Sequence, residues 1–279
     1  MATAAGLILL TGATGFVGQQ VLRALAERNC KVRVVVRDSM QGKIAPSDAI
    51  EKVVTTPDLW SENVAWCSQA CRDVDTVIHV AWYAQTGLYL QSPKNTDCLE
   101  GTLRLAQGAA ASGVRRFAGI GTCFEYDPSG GHLGVSTPLL PATPYARAKV
   151  DAFRALSQFL SQRQIEFVWC RLFYLHGDGE DARRLVAYLR AKLSRGEPAE
   201  LSSGSQVRDY LEVREAGRMI ADAALGSRPG PVNICSGKAV TVRELAEQIA
   251  DAYGRRDLLR FGARADNPAE AACIVGVCD

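Results

Sequence analysis

The apolar run Leu7-Ile8-Leu9-Leu10 breaks directly into Gly12-Ala13-Thr14-Gly15-Phe16-Val17-Gly18. Val17, Val21, Leu22 and Leu25 then recur at helical spacing. A strand that turns on three glycines into a helix leaves few folds open. Gly12 permits the tight turn, Gly15 leaves room for a phosphate group against the backbone, and Gly18 lets the helix lie close to the sheet. The first helical amides have no intrahelical partners and, with the helix dipole, favour an anion. The expectation is a dinucleotide pyrophosphate cradled by Gly12, Thr14, Gly15, Phe16, Val17 and Gly18. The plain alternative is a structural turn, disfavoured by the strand before it and the helix after it.

The same rhythm continues downstream. The β-branched Val32-Arg33-Val34-Val35-Val36 predicts a second strand and Val53-Val54 a weak third, with further strands over residues 74–80, 114–120 and 165–172. Helical spacing covers 102–111 and 145–160. Strands alternating with helices argue for an α/β fold, a Rossmann-type doubly wound parallel sheet covered on both faces. After residue 172 the rhythm breaks into a basic helix over 181–195, a strand over 207–213, a helix over 215–225, a strand over 232–235 and a helix over 241–253. The last opens with Thr241 and Glu244, a capping-box pair. Residues 1–172 are expected to form the dinucleotide-binding domain and 173–279 a smaller C-terminal α/β substrate lobe intertwined with it.

Which dinucleotide binds rests on the end of the second strand. An acidic residue there holds the ribose 2′-hydroxyl of NAD, whereas an arginine accepts the 2′-phosphate of NADP. Arg37 is placed at that position, with Arg33 as a helper, which favours NADP(H). A one-residue slip would put Asp38 there and favour NAD(H). Asp58 and Leu59 are expected beside the adenine, and Val80 and Ala81 complete the cofactor contacts.

Tyr145 and Lys149 lie four residues apart in Pro144-Tyr145-Ala146-Arg147-Ala148-Lys149, on one face of a helix. A free tyrosine phenol, with a pKa of about 10, is too weak an acid to serve as a base at neutral pH. A neighbouring ammonium and a cationic nicotinamide ring would draw it down toward the working range. The pair therefore points to proton transfer during redox chemistry at a carbinol or carbonyl carbon.

Net charge is +2, which implies no field for a polyanion, so nucleic acid is not expected as a partner. No apolar stretch is long enough to span a bilayer. Residues 1–5 lack the basic region of a signal peptide. The nine cysteines are scattered without a Cys-x-x-Cys pair, and the three histidines lie far apart, so no metal site is expected. Reduced thiols in a cytoplasmic protein fit this pattern.

The glycine turn, the Tyr145/Lys149 pair and Val207-Arg208-Asp209-Tyr210-Leu211-Glu212-Val213 together resemble the extended short-chain dehydrogenase/reductases, in particular the NAD-dependent epimerase/dehydratase group acting on nucleotide sugars. Arg171-Leu172-Phe173-Tyr174-Leu175-His176-Gly177 and Asn233-Ile234-Cys235-Ser236-Gly237 fit the same group. The resemblance runs from Leu7 to about Tyr253. It implies that Tyr145 exchanges a proton with a sugar hydroxyl or keto oxygen. It also implies that Lys149 holds the nicotinamide ribose and that Thr122 hydrogen-bonds the reacting oxygen. The plainer alternative for Thr122, a helix-cap or turn residue, is the less favoured one. Arg208 would clasp the diphosphate of a nucleotide sugar, with Arg183 and Arg184 as further candidates or merely solvated charges. Thr86, Cys123 and Tyr174 are expected near the sugar. Cys123-Phe124 stands where dehydratases of the group carry two acids, so dehydration is not expected. Cys123 reads as an acid–base thiol or a buried structural one.

The resulting expectation is reduction of a nucleotide-linked 4-keto-6-deoxyhexose. The alternatives are 4-epimerisation, reduction of a non-sugar carbonyl, or a non-catalytic dinucleotide sensor. The resemblance also implies a homodimer through the helices that begin at Thr102 and carry Tyr145.

Overall fold

A computed structural model describes residues 6–278. Seven parallel strands form the central sheet: β1 (Ile8–Thr11), β2 (Val32–Arg37), β3 (Ile50–Thr56), β4 (Thr76–His79), β5 (Arg116–Thr122), and two later segments, Glu166–Leu172 and Gly230–Ile234. Short strands lie between and after them: β6 (His132–Leu133) precedes β7, which is the Glu166–Leu172 segment, and β8 (Tyr174–His176) and β9 (Ala199–Glu200) follow. Then come β10 (Val207–Arg208), β11 (Tyr210–Glu212), β12, the Gly230–Ile234 segment, β13 (Val240–Thr241), β14 (Leu259–Arg260) and β15 (Cys273–Gly276). The order across the central sheet is β12-β7-β5-β4-β1-β2-β3. The order reverses on either side of β1, which opens a crevice at the carboxyl ends of β1 and β4, the place where doubly wound sheets take ligands.

The helices are α1 (Phe16–Glu27), α2 (Val64–Ala70), α3 (Lys94–Ala111), α4 (Pro144–Ser161), α5 (Leu185–Ser194), α6 (Val213–Leu225) and α7 (Val242–Ala252). Alternate strand residues supply the two faces. Ile8, Leu10, Val32 and Val34 pack with α1 and α6. Leu9, Val35, Val77, Phe117 and Trp169 pack with residues of α2, α3 and α4. Burial on both faces explains why the strands read as continuous apolar runs.

Several boundaries differ from the sequence expectation. The helix expected from 102 begins at Lys94, and Asn95 and Cys98 on its first turns are buried. The helix expected from 181 begins at Leu185, with Arg184 as its N-cap residue. The strand expected over 207–213 divides at Asp209: β10 pairs with β13 and β15, and β11 with β8. Asp209 is fully buried and accepts from Ser236 N, Ser236 Oγ, Gly237 N and Gly276 N, so its carboxylate pins the division. The strand near 232–235 becomes the edge of the central sheet beside β7.

Candidate active site

The glycine turn lies at the crevice. Gly12 has φ +74°, and a Cβ there would come 2.7 Å from the Ala81 nitrogen. A Cβ on Gly18 would fall 2.0 Å from the Gly12 carbonyl oxygen, so α1 approaches β1 at a distance only glycine allows. Gly15 is exposed and caps α1 with no side-chain bond to the helix amides, leaving them free for an anion. Thr14, Phe16 and Val17 flank it, half-buried. Ala81 N donates to Thr11 Oγ1, which meets His79 Nδ1 at 2.8 Å; His79 Nε2 meets Thr102 Oγ1 at 2.9 Å. Burial pushes His79 down to about 3, so the ring is neutral and works as a brace between β1, β4 and α3. These residues fit a dinucleotide.

At the end of β2, Arg37 and Asp38 are both exposed beside the crevice. Arg33 is not free to help. It is 8% exposed, doubly bonded to Glu51 and also donates to the Ala70 and Arg72 carbonyls. Asp58 spends its carboxylate on Trp60 N and Ser61 Oγ, capping the turn after β3, and Leu59 is buried in the core. Val80 and Ala81 are half-buried at the end of β4.

Thr122, Tyr145 and Lys149 converge at the carboxyl end of β5. Thr143 caps α4 by accepting from Ala146 N, which sets the first turn bearing Tyr145. The Thr122 hydroxyl is near enough to the Tyr145 phenol to lower it. Thr122 is also the cap of a short turn, with Phe124 N donating to its hydroxyl and its own amide donating to Glu125 Oε1, so both readings of Thr122 hold at once. Glu125 is fully buried and is held by Trp169 Nε1 and by Arg171 Nε at 2.6 Å; Arg171 also donates to the Tyr126 hydroxyl. This ion pair forms the floor beneath Thr122. Its signature, Thr122-x-x-Glu125, was present in the sequence as a capping box, but nothing local marks Arg171 as its partner.

The expected acidification of Tyr145 by Lys149 is not what the structure presents. Burial raises the phenol, the nearby Tyr89 and Glu125 raise it further, and the neighbouring Thr122 hydroxyl lowers it only in part. The Lys149 ammonium lies 5.9 Å from the centre of the Tyr145 ring. It donates to the Ile120 carbonyl at 2.7 Å and sits 3.6 Å from the centre of the Trp82 ring. Burial draws the amine down to about 7, against the opposing pull of Glu125 and Cys98. Burial therefore favours the protonated phenol and weakens the charged form of the amine.

Around this group the loop after β4 and the segments near β8 and β11 form an aromatic wall. The Tyr89 ring meets Tyr145 edge-on at 4.8 Å, and Trp82 meets it at 6.4 Å. Asn95 fixes that loop by accepting from Trp82 Nε1 and donating to the Tyr89 and Ser92 carbonyls. Cys98 accepts from Tyr83 N. Tyr174 packs between Phe124 and Tyr210. Tyr89 and Asn95 were not singled out as site residues, since their roles depend on where a loop folds back. Cys123 is buried, and its thiol is pushed up to about 12 by burial and by Glu125, which favours the structural alternative.

The basic residues are arranged differently from expectation. Arg183 is exposed and paired through two nitrogens with Asp181. Arg184 is bonded to the buried side chain of Glu180; burial raises Tyr89 and Tyr210, and Arg184 lowers Tyr89 in part, whereas at Tyr210 Arg208 is the larger opposing charge and Arg184 the smaller. Arg208 is 4% exposed. It donates to the Val207 and Ala271 carbonyls and pairs with Glu270 at 3.2 Å. An acid of the same chain thus meets the guanidinium expected to hold a diphosphate. Among the described residues no group of three or more His, Cys, Asp or Glu could hold a metal ion, and no helix is long and apolar enough to cross a membrane.

The model of the NAD dependent epimerase/dehydratase family matches residues 8–235. The dTDP-6-deoxy-L-talose 4-dehydrogenase (NAD(+)) of Aggregatibacter actinomycetemcomitans is 23% identical over 248 residues, 86% of this chain and 88% of that protein. The dTDP-6-deoxy-L-talose 4-dehydrogenase (NAD(P)(+)) of Kitasatospora kifunensis is 26% identical over 264 residues, 90% of this chain and 80% of that protein. Among solved structures, the UDP-N-acetylglucosamine 4-epimerase of Methanobrevibacter ruminantium M1 superposes with a TM-score of 0.83 at 20% identity, covering 99% of this chain and 90% of that one.

Proposed function

This chain belongs to the NAD dependent epimerase/dehydratase family, and from that membership we propose that it reduces the 4-keto carbon of a nucleotide-linked 6-deoxyhexose with NADPH, NADH serving as the weaker donor. The observation that carries the reading is the convergence of Thr122, Tyr145 and Lys149, with the phenol held protonated. The two 4-dehydrogenases among its relatives act on a 6-deoxy sugar at the same carbon.

The nicotinamide supplies the hydride when bound. Tyr145 gives its proton to the sugar oxygen as that oxygen gains negative charge, so a protonated phenol is the form required. Thr122 steadies the same oxygen with its hydroxyl. Lys149, in its charged form, would favour the phenolate left after proton transfer and would hold the cofactor ribose when the dinucleotide is bound. The aromatic wall of Tyr89, Trp82 and Tyr174 excludes water and packs against the sugar face. Dehydration is disfavoured: the nearest acid to Thr122 is Glu125, which is fully buried and committed to Arg171. The same proposal gives Arg37 the 2′-phosphate, Arg184 the diphosphate, with Arg208 joining it only on release from Glu270, and a cytoplasmic homodimer in contact through α3 and α4.

The test is a direct assay. The purified chain is mixed with NADPH or NADH and enzymatically prepared dTDP- or UDP-4-keto-6-deoxyglucose, and loss of reduced nicotinamide is followed with product identification by NMR. Stoichiometric reduction at C4 is expected. Turnover should fall by about 10²–10⁴-fold in Tyr145→Phe while dinucleotide affinity is kept. Tightly retained NAD with no net nicotinamide consumption, and interconversion of two 4-hydroxy sugars, would replace this reading with 4-epimerisation. A Tyr145→Phe variant of near-normal rate would remove both.

A further inference from the structure

Away from the cleft, two sulfurs of this chain meet. Cys235, immediately after β12, has its Sγ 3.6 Å from Sγ of Cys278, two residues beyond β15. Cys235 is 2% exposed, whereas Cys278 is exposed. The surrounding backbone leaves room for both. Gly237 has φ +71°, and a Cβ there would lie 2.9 Å from the Cys278 sulfur. A Cβ on Gly276 would lie 2.5 Å from the Cys235 sulfur. Each sulfur therefore fills the space that a side chain on the opposing strand would take.

We propose that Cys235 and Cys278 form a reversible disulfide that clips the edge of the central sheet to β15. A disulfide needs the sulfurs at about 2.05 Å, an approach that rotation of the exposed Cys278 side chain and a small shift of its segment provide. The link would join two segments already held together: Asp209 accepts from Ser236 and Gly237 on one side and from Gly276 on the other. β15 pairs with β10, and Ala271, just before β15, supplies a carbonyl to Arg208, so the clip braces the strand that carries this arginine.

The chemistry is thiol–disulfide exchange with a small-molecule disulfide. The Cys278 thiolate attacks one sulfur of the oxidant, forming a mixed disulfide and expelling one thiolate. The Cys235 thiol then loses its proton and attacks the Cys278 sulfur, expelling the second thiolate. Two protein thiols are oxidised by two electrons, one disulfide is reduced to two thiols, and the protons pass to the leaving groups. Burial and the neighbouring Cys278 raise the Cys235 thiol, which leaves the exposed sulfur as the point of entry.

The full chain, freed of reductant and incubated with oxidised glutathione, should yield on non-reducing peptide mapping a Cys235 peptide joined to a Cys278 peptide. The linked product should be about 2 Da lighter than the two thiol peptides together. Dithiothreitol should reverse it, and the linked protein should melt a few degrees higher. Cys273→Ser should leave link and melting shift intact, and Cys278→Ser should abolish both. The inference is overturned if Cys278 is recovered only as a glutathione adduct, if links scatter among other cysteines, or if the linked form melts lower. These outcomes are independent of the reaction proposed above, since none reads turnover.

Discussion

The Lys149 ammonium lies 3.6 Å from the centre of the Trp82 ring while donating to the Ile120 carbonyl. The ring shields the amine from water, and burial is the largest cause drawing it down to about 7. Chemistry that depends on a charged Lys149 should weaken as pH rises through about 7. Trp82→Ala admits water, so the amine should move back toward its ordinary range. The alkaline limb of the pH–rate profile is then expected at higher pH than in the wild type, with the rate on the plateau down about tenfold through lost positioning. The profile of kcat/KM for both proteins checks this. An alkaline limb that stays in place would show that Lys149 does not set it.

Beneath the reacting threonine, Glu125 and Arg171 form an ion pair whose side chains are 0% and 1% exposed. Removing one charge from a buried pair strands the other, at a cost of about 3–5 kcal/mol. Glu125→Gln should therefore melt well below the wild type, and Thr122 should lose the carboxylate that fixes its backbone. Combining Glu125→Gln with Arg171→Met should recover part of the loss, because no unpaired charge then remains. Chemical denaturation of the two single variants and the double variant reads the coupling; strictly additive losses would argue against a coupled pair.

The close approach of α1 to β1 makes Gly18 the position least able to accept a side chain. Its Cβ would sit 2.0 Å from a backbone oxygen, which no side-chain rotation relieves. Gly18→Ala should displace α1 from the Gly12 turn and weaken dinucleotide binding at least tenfold, a loss of about 1.4 kcal/mol or more. At Gly15 a Cβ would meet only the Gly12 oxygen at 3.3 Å, so Gly15→Ala should fold more nearly normally and lose affinity through blocked access. Titration calorimetry with NAD(H) and NADP(H), alongside melting curves, separates the two cases.

Arg37 and Asp38 compete for the same assignment at the end of β2, and both are exposed. If the guanidinium meets the 2′-phosphate, Arg37→Ala should lower the NADPH-to-NADH ratio of kcat/KM about tenfold or more, a loss typical of a charge-assisted contact of about 1.5–3 kcal/mol. Stability should stay within about 0.5 kcal/mol, as for most surface changes. Should Asp38→Ala instead depress use of NADH while Arg37→Ala changes nothing, NAD is the natural cofactor.

Much of this molecule is written locally. Alternation and β-branched runs placed the strands of the central sheet. The three glycines sit where a turn, an open approach and a close helix need them, and the four-residue spacing of Tyr145 and Lys149 put both on one face of α4. The capping boxes at Thr122/Glu125 and Thr241/Glu244 are likewise contained within single turns. Such features depend on backbone geometry over a few residues, so a sequence carries them directly. Meetings between distant segments were decided only by packing. Gly230–Ile234 joined the central sheet beside β7, Arg33 was taken up by Glu51, Arg208 met Glu270, and Trp82 closed over Lys149. Those contacts also set the charges: the desolvation that raises Tyr145 and lowers Lys149 is a property of the surrounding volume, and that volume exists only once strands far apart in the chain lie side by side.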